Sequence, residues 1–234
     1  MTTVIFDMDG VMFDTAGIFE AAWDYAGEMI GIGKAGYMIT KTMGMSLVMS
    51  HEIWKQEFKE RYDEHMFRKY AKKYVKQYYE ENKVPIKKGL HLLLQYLKSN
   101  NYKLAVASSS SKWEVEKHLN DAKIYEYFDT IVCGDMITRS KPEPEIYLKT
   151  CELLRESPEK SFALEDSKSG LISAFKAGCK PIMVPDIWQP DEEIESILWG
   201  KFNDLDEVRN YFRTRDSINV NTPILEHSSR TMNS

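Results

Sequence analysis

Residues 4–10 of the chain read VIFDMDG, an apolar run that ends in two acids and a glycine. A buried strand that finishes in Asp7 and Asp9 places two carboxylates where they repel each other. One interpretation is an ordinary turn, since Asp and Gly favour loops after strands. The other is a site at which a cation holds the acids together. Residues far along the chain have to distinguish the two.

Composition limits the kinds of protein this chain can be. Its 234 residues suffice for one large domain or for a core with a smaller inserted domain, and the 43% of hydrophobic residues support a sizeable core. The net charge of −5 gives no basic surface for nucleic acid or an anionic membrane. No apolar stretch approaches the length of about 20 residues that a membrane span needs, and no signal peptide precedes the first strand. We therefore expect a cytoplasmic protein without nucleic-acid or membrane partners.

Cysteine usage agrees with that compartment. The three cysteines, Cys133, Cys151 and Cys179, are scattered and form no C-x-x-C pair. Neither a disulfide framework nor structural zinc is indicated, and buried thiols in a reducing environment are the expected state.

Five short apolar runs predict strands, and helical patterns lie between the later ones. The runs are VIFD (4–7), KLAVAS (103–108), TIVCG (130–134), FALED (162–166) and PIMVP (181–185). Most of them are continuously apolar and rich in β-branched residues, as expected for strands that are buried on both faces. Strands that alternate with helices indicate an α/β fold, a doubly wound, Rossmann-like parallel sheet.

The segment 14–84 interrupts that alternation. It contains no convincing strand, and between Ser46 and Lys83 there is neither Gly nor Pro. We interpret it as an inserted α-helical cap on a core made of residues 1–13 and 85–216. The connections near Asp14–Gly17 and Asn82–Lys88 are then expected to act as hinges. Residues 217–234 are polar and aperiodic, which predicts a disordered C-terminal tail.

Two stripes mark the last helix of the predicted cap. Tyrosines recur every four residues and are interpreted as part of the core of the cap, while lysines at i, i+3, i+4 and i+7 are interpreted as a solvated face, with an anion-binding face as the alternative. The stripes are Tyr70, Tyr74 and Tyr78, and Lys69, Lys72, Lys73 and Lys76.

Polar residues also follow the other predicted strands. Ser108 ends the second strand, Glu165 and Asp166 end the fourth, and Lys141 lies shortly after the third. Ligand chemistry in doubly wound sheets gathers at the carboxyl ends of the strands. Each residue has an ordinary alternative: the serine run can begin a helix, with Ser111 and Glu114 as a capping box, and Asp166 can be a helix N-cap.

Taken together, these residues contain the groups that phosphoryl transfer requires. Carboxylates can ligate a hard divalent cation, and one of them can accept the phosphoryl group. A second acid can protonate the leaving oxygen, while a hydroxyl and a lysine steady the oxygens of the transferring group. The cation site is therefore favoured over the turn.

The same residues resemble the haloacid dehalogenase superfamily, in the branch that contains β-phosphoglucomutase and many phosphatases. The four matching stretches are DMDGVMFDT, KLAVASSS, SKPEPEIY and LEDSKSG, in the order that the family uses. The likeness extends over residues 1–215 when the helical cap is included. An aspartate two residues after the nucleophile also distinguishes the phosphate-processing members from the dehalogenases.

The resemblance implies a role for each matching position. Asp7 is expected to be the nucleophile and Asp9 the general acid and base. Mg²⁺ is expected to bind Asp7, the main-chain carbonyl of Asp9 and Asp166, with Glu165 in the same acidic cluster. The phosphate is expected to be held by Ser108, Ser109 and Lys141, and Lys141 also offsets the repulsion among the acids.

The cap determines the expected substrate. Mutases of this branch carry a cap histidine where this chain has Phe19, and a cap arginine where it has the stretch that ends in Leu47. These departures favour a phosphatase of a small phosphomonoester, such as a sugar phosphate, over a β-phosphoglucomutase-type enzyme, although Thr15 keeps the family pattern. The expected substrate-contacting residues of the cap are Thr15, Phe19, Trp23, Met45 and Leu47.

A third hypothesis is a non-catalytic phosphoacceptor module comparable to a receiver domain. Such modules place the phosphorylated aspartate in the middle of the chain, have no inserted cap and do not need a leaving-group acid at the position of Asp9. Nothing in the sequence implies a protein partner, and we expect a monomer that binds a small phosphorylated metabolite.

Overall fold

A parallel sheet forms the centre of the molecule. The computed structural model describes residues 2–42 and 47–221 of the chain. In that part, six strands lie in the order β3-β2-β1-β4-β5-β6, and every pairing is parallel. They are β1 (Thr3–Phe6), β2 (Lys103–Ala107), β3 (Thr130–Val132), β4 (Ser161–Glu165), β5 (Lys180–Met183) and β6 (Gly200–Lys201). The five predicted strands are confirmed. The sixth has only two residues, too few to produce a periodic pattern.

Between β1 and β2 the chain forms helices, as the sequence predicts for the cap. They are α1 (Ala16–Met29), α2 (Met38–Thr42), α3 (Leu47–Phe58) and α4 (Glu64–Glu81). The helices α1 and α4 pack along each other. A separate apolar cluster lies inside the cap, with Ala26, Trp54 and Phe67 among its buried members. Burial of this cluster allows the cap helices to be stable without a sheet of their own.

The lysine stripe of α4 occupies the predicted environment, and the tyrosine stripe does so only in part. Tyr70, Tyr74 and Tyr78 are half-buried, and the ring of Tyr25 on α1 lies 6.4 Å from that of Tyr70 and 5.5 Å from that of Tyr74. The lysines at 69, 72, 73 and 76 are all exposed. Of the three tyrosines, Tyr70 packs against the separate cluster inside the cap, whereas Tyr74 and Tyr78 pack against the large cluster that the cap shares with the sheet. The lysine face is solvated.

The remaining helices cover both faces of the sheet. They are α5 (Leu90–Ser99), α6 (Lys112–Asp121), α7 (Glu145–Leu154), α8 (Lys168–Lys176), α9 (Glu192–Glu195) and α10 (Leu205–Asn221). Alternate side chains of β1 enter different clusters: Val4 and Phe6 pack in one with α5 and α10, and Ile5 packs in the other with α7. This alternation confirms a doubly wound α/β architecture.

The cap joins the core through two adjacent chain crossings. The amide of Asp14 donates to the carbonyl of Pro85, and the amide of Lys87 donates to the carbonyl of Met12, each at 2.9 Å. Both connections therefore leave the core side by side. Paired crossings of this kind are where hinge motion of the cap would be concentrated.

The C-terminal region differs from the prediction. Residues 217–221 continue α10 instead of beginning a tail, and residues 222–234 lie outside the described part of the chain. The carboxylate of Asp216 accepts hydrogen bonds from Tyr96 at 2.7 Å and from Tyr102 at 2.6 Å, which fixes the last turns of α10 against the core. Such long-range pairing is not visible in a local sequence pattern. Across residues 2–42 and 47–221, no helix has the length and apolar character to cross a membrane.

Candidate active site

The carboxyl ends of neighbouring strands place several of the predicted polar residues around one cavity of about 190 Å³. Asp7 directly follows β1, and its amide donates to the carbonyl of Leu164 in β4 at 3.0 Å, so the sheet fixes its backbone. Asp166 follows β4 on the neighbouring strand. The lining consists of Asp7, Asp9, Gly10, Thr15, Ala16, Phe19, Ser109, Lys141, Asp166, Ser167, Ser169 and Asp186.

Lys141 joins the acidic residues into one network. Its ammonium donates to Asp7 Oδ1 at 2.5 Å, to Glu165 Oε1 at 2.7 Å and to the carbonyl of Ala107 at 3.0 Å. The lysine side chain is only 6% exposed. An ammonium with three acceptors and almost no water is held in one position, so the side chain of Asp7 is fixed as well.

Burial controls the electrostatics of this network. Desolvation raises the pKa of Asp7 to about 8, against the opposing effect of the Lys141 ammonium. Burial and the neighbouring charges of Asp7 and Glu165 raise the pKa of Asp166 well above its usual range. Burial alone would lower the pKa of Lys141, but the carboxylates outweigh it and raise that pKa. Three acids thus share one compensating cation from the protein, and a second positive charge would relieve their repulsion.

The donor set fits a hard divalent cation. Asp7, Glu165 and Asp166 each offer a carboxylate oxygen, and these oxygens lie within 4.8 Å of one another. Oxygen donors of this charge are what Mg²⁺ prefers. Glu165, however, is fully buried and already occupied: its Oε1 accepts from Lys141 and, at 2.5 Å, from the hydroxyl of Tyr147. Asp7 and Asp166, which line the cavity, are therefore better placed to hold a cation.

Two glycines permit the close approach of these acids. At Gly10, where φ is +81°, an added Cβ would lie 2.2 Å from Asp166 Oδ2. At Gly170, the third residue of α8, an added Cβ would lie 2.1 Å from both carboxylate oxygens of Glu165. Neither position has room for a side chain. The DMDG and LEDSKSG stretches therefore need their glycines so that the carboxylates of Asp166 and Glu165 can lie against the backbone.

Asp9 occupies a different environment from Asp7. Its Oδ2 accepts a hydrogen bond from the hydroxyl of Ser110 at 2.7 Å, and its Oδ1 is buried without a hydrogen-bond partner in the described chain. Burial raises the pKa of Asp9, while the hydroxyls of Ser110 and Thr15 act in the opposite direction. A carboxyl group with a raised pKa and one unoccupied oxygen can carry a proton to and from a bound molecule.

The serines that follow β2 occupy different environments, which the sequence does not distinguish. Ser108 is fully buried, and its hydroxyl accepts from the amide of Ser110 at 3.1 Å. Ser109 lines the cavity, whereas Ser111 and Glu114 form the expected capping box of α6. Of the two serines predicted to hold phosphate, only Ser109 reaches the cavity wall. Ser108 lies one layer behind it.

Other predicted residues are placed as follows. The N-cap of α8 is Ser167, which accepts from the amide of Gly170, so Asp166 is not occupied by capping. Thr15 and Phe19 line the cavity, whereas Trp23 lines a different one in the cap. Met45 and the side chain of Leu47 lie outside the described part of the structure.

Sequence reasoning missed three residues that act on the site. Asp186 lines the cavity and raises the pKa of Asp166 by its charge. It follows the fifth predicted strand, so the same strand-end rule could have found it. Ser110 and Tyr147 gave no such signal, because one lies within a run of serines and the other lies on the apolar face of a helix.

Comparison with known proteins places the chain in context. The model of the family described as haloacid dehalogenase-like hydrolase matches residues 4–184. A protein of Thermotoga maritima named phosphorylated carbohydrates phosphatase is 33% identical over 78% of this chain and 84% of its own length. A protein of Bacillus subtilis named beta-phosphoglucomutase is 30% identical over 76% of this chain and 80% of its own length.

The fold has counterparts of known structure. The crystal structure of a beta-phosphoglucomutase from Clostridium difficile has a TM-score of 0.73 at 24% identity, and the match covers 94% of this chain and 99% of the other. At that identity, the similarity establishes a shared fold, not a shared substrate.

Proposed function

The chain belongs to the haloacid dehalogenase-like hydrolase family, and we propose that it is a Mg²⁺-dependent phosphatase that hydrolyses small phosphomonoesters through a phosphoryl group carried on Asp7. The observation that carries the proposal is the Lys141 network. The ammonium holds Asp7 Oδ1 at 2.5 Å, while the neighbouring acids Glu165 and Asp166 lie within reach of one cation. This arrangement orients Asp7 and opposes the rise in its pKa, and a bound cation would further favour the ionised carboxylate that attacks phosphorus.

In the first half of the reaction, a carboxylate oxygen of Asp7 attacks phosphorus, and the bond from phosphorus to the ester oxygen breaks. Asp9 donates its proton to the departing oxygen, so the leaving group departs as a neutral alcohol. Ser110 orients Asp9 by donating to Oδ2, and Asp9 lines the cavity in which the substrate would lie. Ser109 and Lys141, both in the cavity wall, steady the phosphoryl oxygens.

In the second half, a water molecule attacks the phosphoryl group on Asp7. Asp9, now ionised, takes a proton from that water, the bond between phosphorus and Asp7 breaks, and inorganic phosphate leaves. The sum is ester plus water giving alcohol plus phosphate, with both aspartates restored. Asp7 and Asp166 would hold the metal ion, which supplies charge neutralisation between the acids and the phosphate. Glu165 holds Lys141 in place rather than binding the metal.

A phosphatase is favoured over a mutase by the cap wall of the cavity. Phe19 lines the cavity at the position where the resemblance puts the histidine of the mutases. A mutase must retain a second phosphate while its substrate reorients, and it needs cationic groups above the nucleophile to do so. Phe19 provides none. The name of the Thermotoga maritima relative supports a phosphorylated carbohydrate as the class of substrate.

The test is phosphate release from a panel of phosphomonoesters by the wild type and by Asp7→Asn. We expect turnover by the wild type only in the presence of Mg²⁺ and none by the variant. Asp121→Asn, which changes an aspartate paired with Lys117 at the end of α6, serves as the matched control and should keep its activity. Turnover by Asp7→Asn at the wild-type rate would refute the proposal. Conversion of a hexose 1-phosphate to its 6-phosphate, without release of phosphate, would establish the mutase instead.

A further inference from the structure

A second cavity, of about 190 Å³, lies in the cap and has no role in the reaction described above. We propose that this cavity is the subsite for the far end of the leaving group and that it binds a planar heteroaromatic ring. The preferred substrate is then a sugar phosphate that carries such a ring, as in a nucleoside 5′-monophosphate. This inference rests on the proposed function, because it assumes that the phosphate of the same molecule lies at Asp7.

Aromatic side chains form the walls of this cavity and make up four of its eight lining residues. Trp54 lies at its centre, with ring centroids 5.3 Å from Trp23, 5.1 Å from Tyr62 and 4.6 Å from Phe67. Trp54 and Phe67 are almost fully buried, whereas Trp23 and Tyr62 are half-buried. Half-buried rings beside a cavity offer the apolar faces on which planar ligands stack.

One edge of the cavity is polar. Glu64 Oε1 lies 2.7 Å from Arg68 Nη2, and Glu64 Oε2 lies 2.8 Å from His51 Nδ1. The side chains of these three residues are 26% to 52% exposed, and all three line the cavity. Aromatic walls with a short row of donors and acceptors are typical of pockets for heteroaromatic ligands, which need stacking for affinity and edge hydrogen bonds for orientation.

Helix α1 contributes residues to both cavities. Ala16 and Phe19 line the catalytic cavity, and Trp23 lines the aromatic cavity. These residues lie at i, i+3 and i+7, hence on one face of the helix. At a rise of 1.5 Å per residue, Ala16 and Trp23 are separated by about 10 Å along the axis. A nucleoside monophosphate covers such a span between its phosphate and its base, with its sugar beside Phe19.

The experiment compares nucleoside 5′-monophosphates and flavin mononucleotide with ribose 5-phosphate. Ribose 5-phosphate is also a sugar phosphate monoester, but it carries no heteroaromatic ring. We expect kcat/KM to be about 10- to 100-fold higher for at least one ring-bearing substrate, mainly through a lower KM. Trp23→Leu should reduce that ratio about tenfold or more. Trp199→Leu is the matched control, because Trp199 is 52% exposed and its amide donates to the carbonyl of Pro181 at the opposite, amino-terminal edge of the sheet.

A binding measurement on Asp7→Asn gives an independent readout and guards against loss of folding. A ring-bearing monophosphate should quench the tryptophan fluorescence of this variant at concentrations where ribose 5-phosphate does not. The additional substitution Arg68→Gln, which leaves the aromatic walls intact, should weaken that binding. Equal kcat/KM values for ribose 5-phosphate and all ring-bearing substrates, or equal losses for both after Trp23→Leu, would overturn the inference and leave the phosphatase proposal standing. Binding of ring-bearing ligands without any Asp7-dependent hydrolysis would contradict the phosphatase proposal instead.

Discussion

Gly170→Ala tests whether Glu165 positions the catalytic network. The added methyl group would lie 2.1 Å from the Cδ and from both Oε atoms of Glu165. The carboxylate has no room to move away, because it is fully buried and accepts from Lys141 and Tyr147. The substitution must therefore displace Glu165 and, with it, the ammonium that orients Asp7.

The change in the free energy of unfolding is the sum of two destabilising contributions and one stabilising contribution. Overpacking of a buried position costs about 1–3 kcal/mol. Loss of a hydrogen bond to a buried charged group costs about 1.5–3 kcal/mol. The higher helix propensity of alanine returns about 1 kcal/mol, because Gly170 lies within α8. We expect a net loss of about 1.5–5 kcal/mol, which corresponds to a fall in Tm of about 3–20 °C for a chain of this size.

Gly17→Ala is the matched control. Gly17 lies in α1, and no heavy atom would come within 4 Å of the added methyl group. The same chemical change should therefore raise the free energy of unfolding by about 0.4–1 kcal/mol. The assay is thermal unfolding combined with kcat/KM, which should fall about 100-fold in Gly170→Ala and stay near the wild-type value in the control. Wild-type stability and activity in Gly170→Ala would show that Glu165 does not hold Lys141.

Three further expectations concern other parts of the molecule. Tyr147→Phe keeps the ring beside Lys141 but removes the hydroxyl that donates to Glu165, so urea unfolding should show a loss of about 1.5–3 kcal/mol and kcat should fall. Burial lowers the pKa of His118 to about 4, so the unfolded chain binds more protons below pH 6.5. The free energy of unfolding should then fall between pH 6.5 and 4 by at most about 3 kcal/mol, and His118→Phe should lack this part of the pH dependence. Mg²⁺ at 100 times its Kd should stabilise the wild type by about 2.7 kcal/mol in thermal unfolding, and Asp166→Asn should lose most of that gain, while an equal gain in the variant would place the cation elsewhere.

The sequence predicted the central part of the site because one rule connects distant residues. Parallel strands end at a common edge, so Asp7, Lys141 and Asp166 could be expected near one another from their positions after predicted strands. The structure brings them into one network. The helical character of the segment after β1 was also predictable, since that long segment has no strand patterns and few helix breakers.

The roles of neighbouring polar residues could not be predicted in the same way. Four serines follow β2, and the choice of which hydroxyl reaches the cavity depends on backbone angles that the sequence does not specify. Ser109 reaches it and Ser110 contacts Asp9, whereas Ser108 is turned into the fold. Tyr147 lies on the buried face of α7, where an aromatic residue is indistinguishable from an ordinary core residue until its hydroxyl is seen at Glu165.

The central claim is that Asp7 carries the phosphoryl group, and its most direct measurement is the mass of peptides from enzyme quenched in acid during steady-state turnover. We predict a mass increase of one HPO₃ group on the peptide containing Asp7. The increase should be absent from Asp7→Asn. With an aryl phosphate, whose leaving group needs no proton, it should be larger in Asp9→Asn, because deprotonation of the attacking water is impaired. A phosphoryl group on any other residue, or turnover by Asp7→Asn at the wild-type rate, would contradict the account.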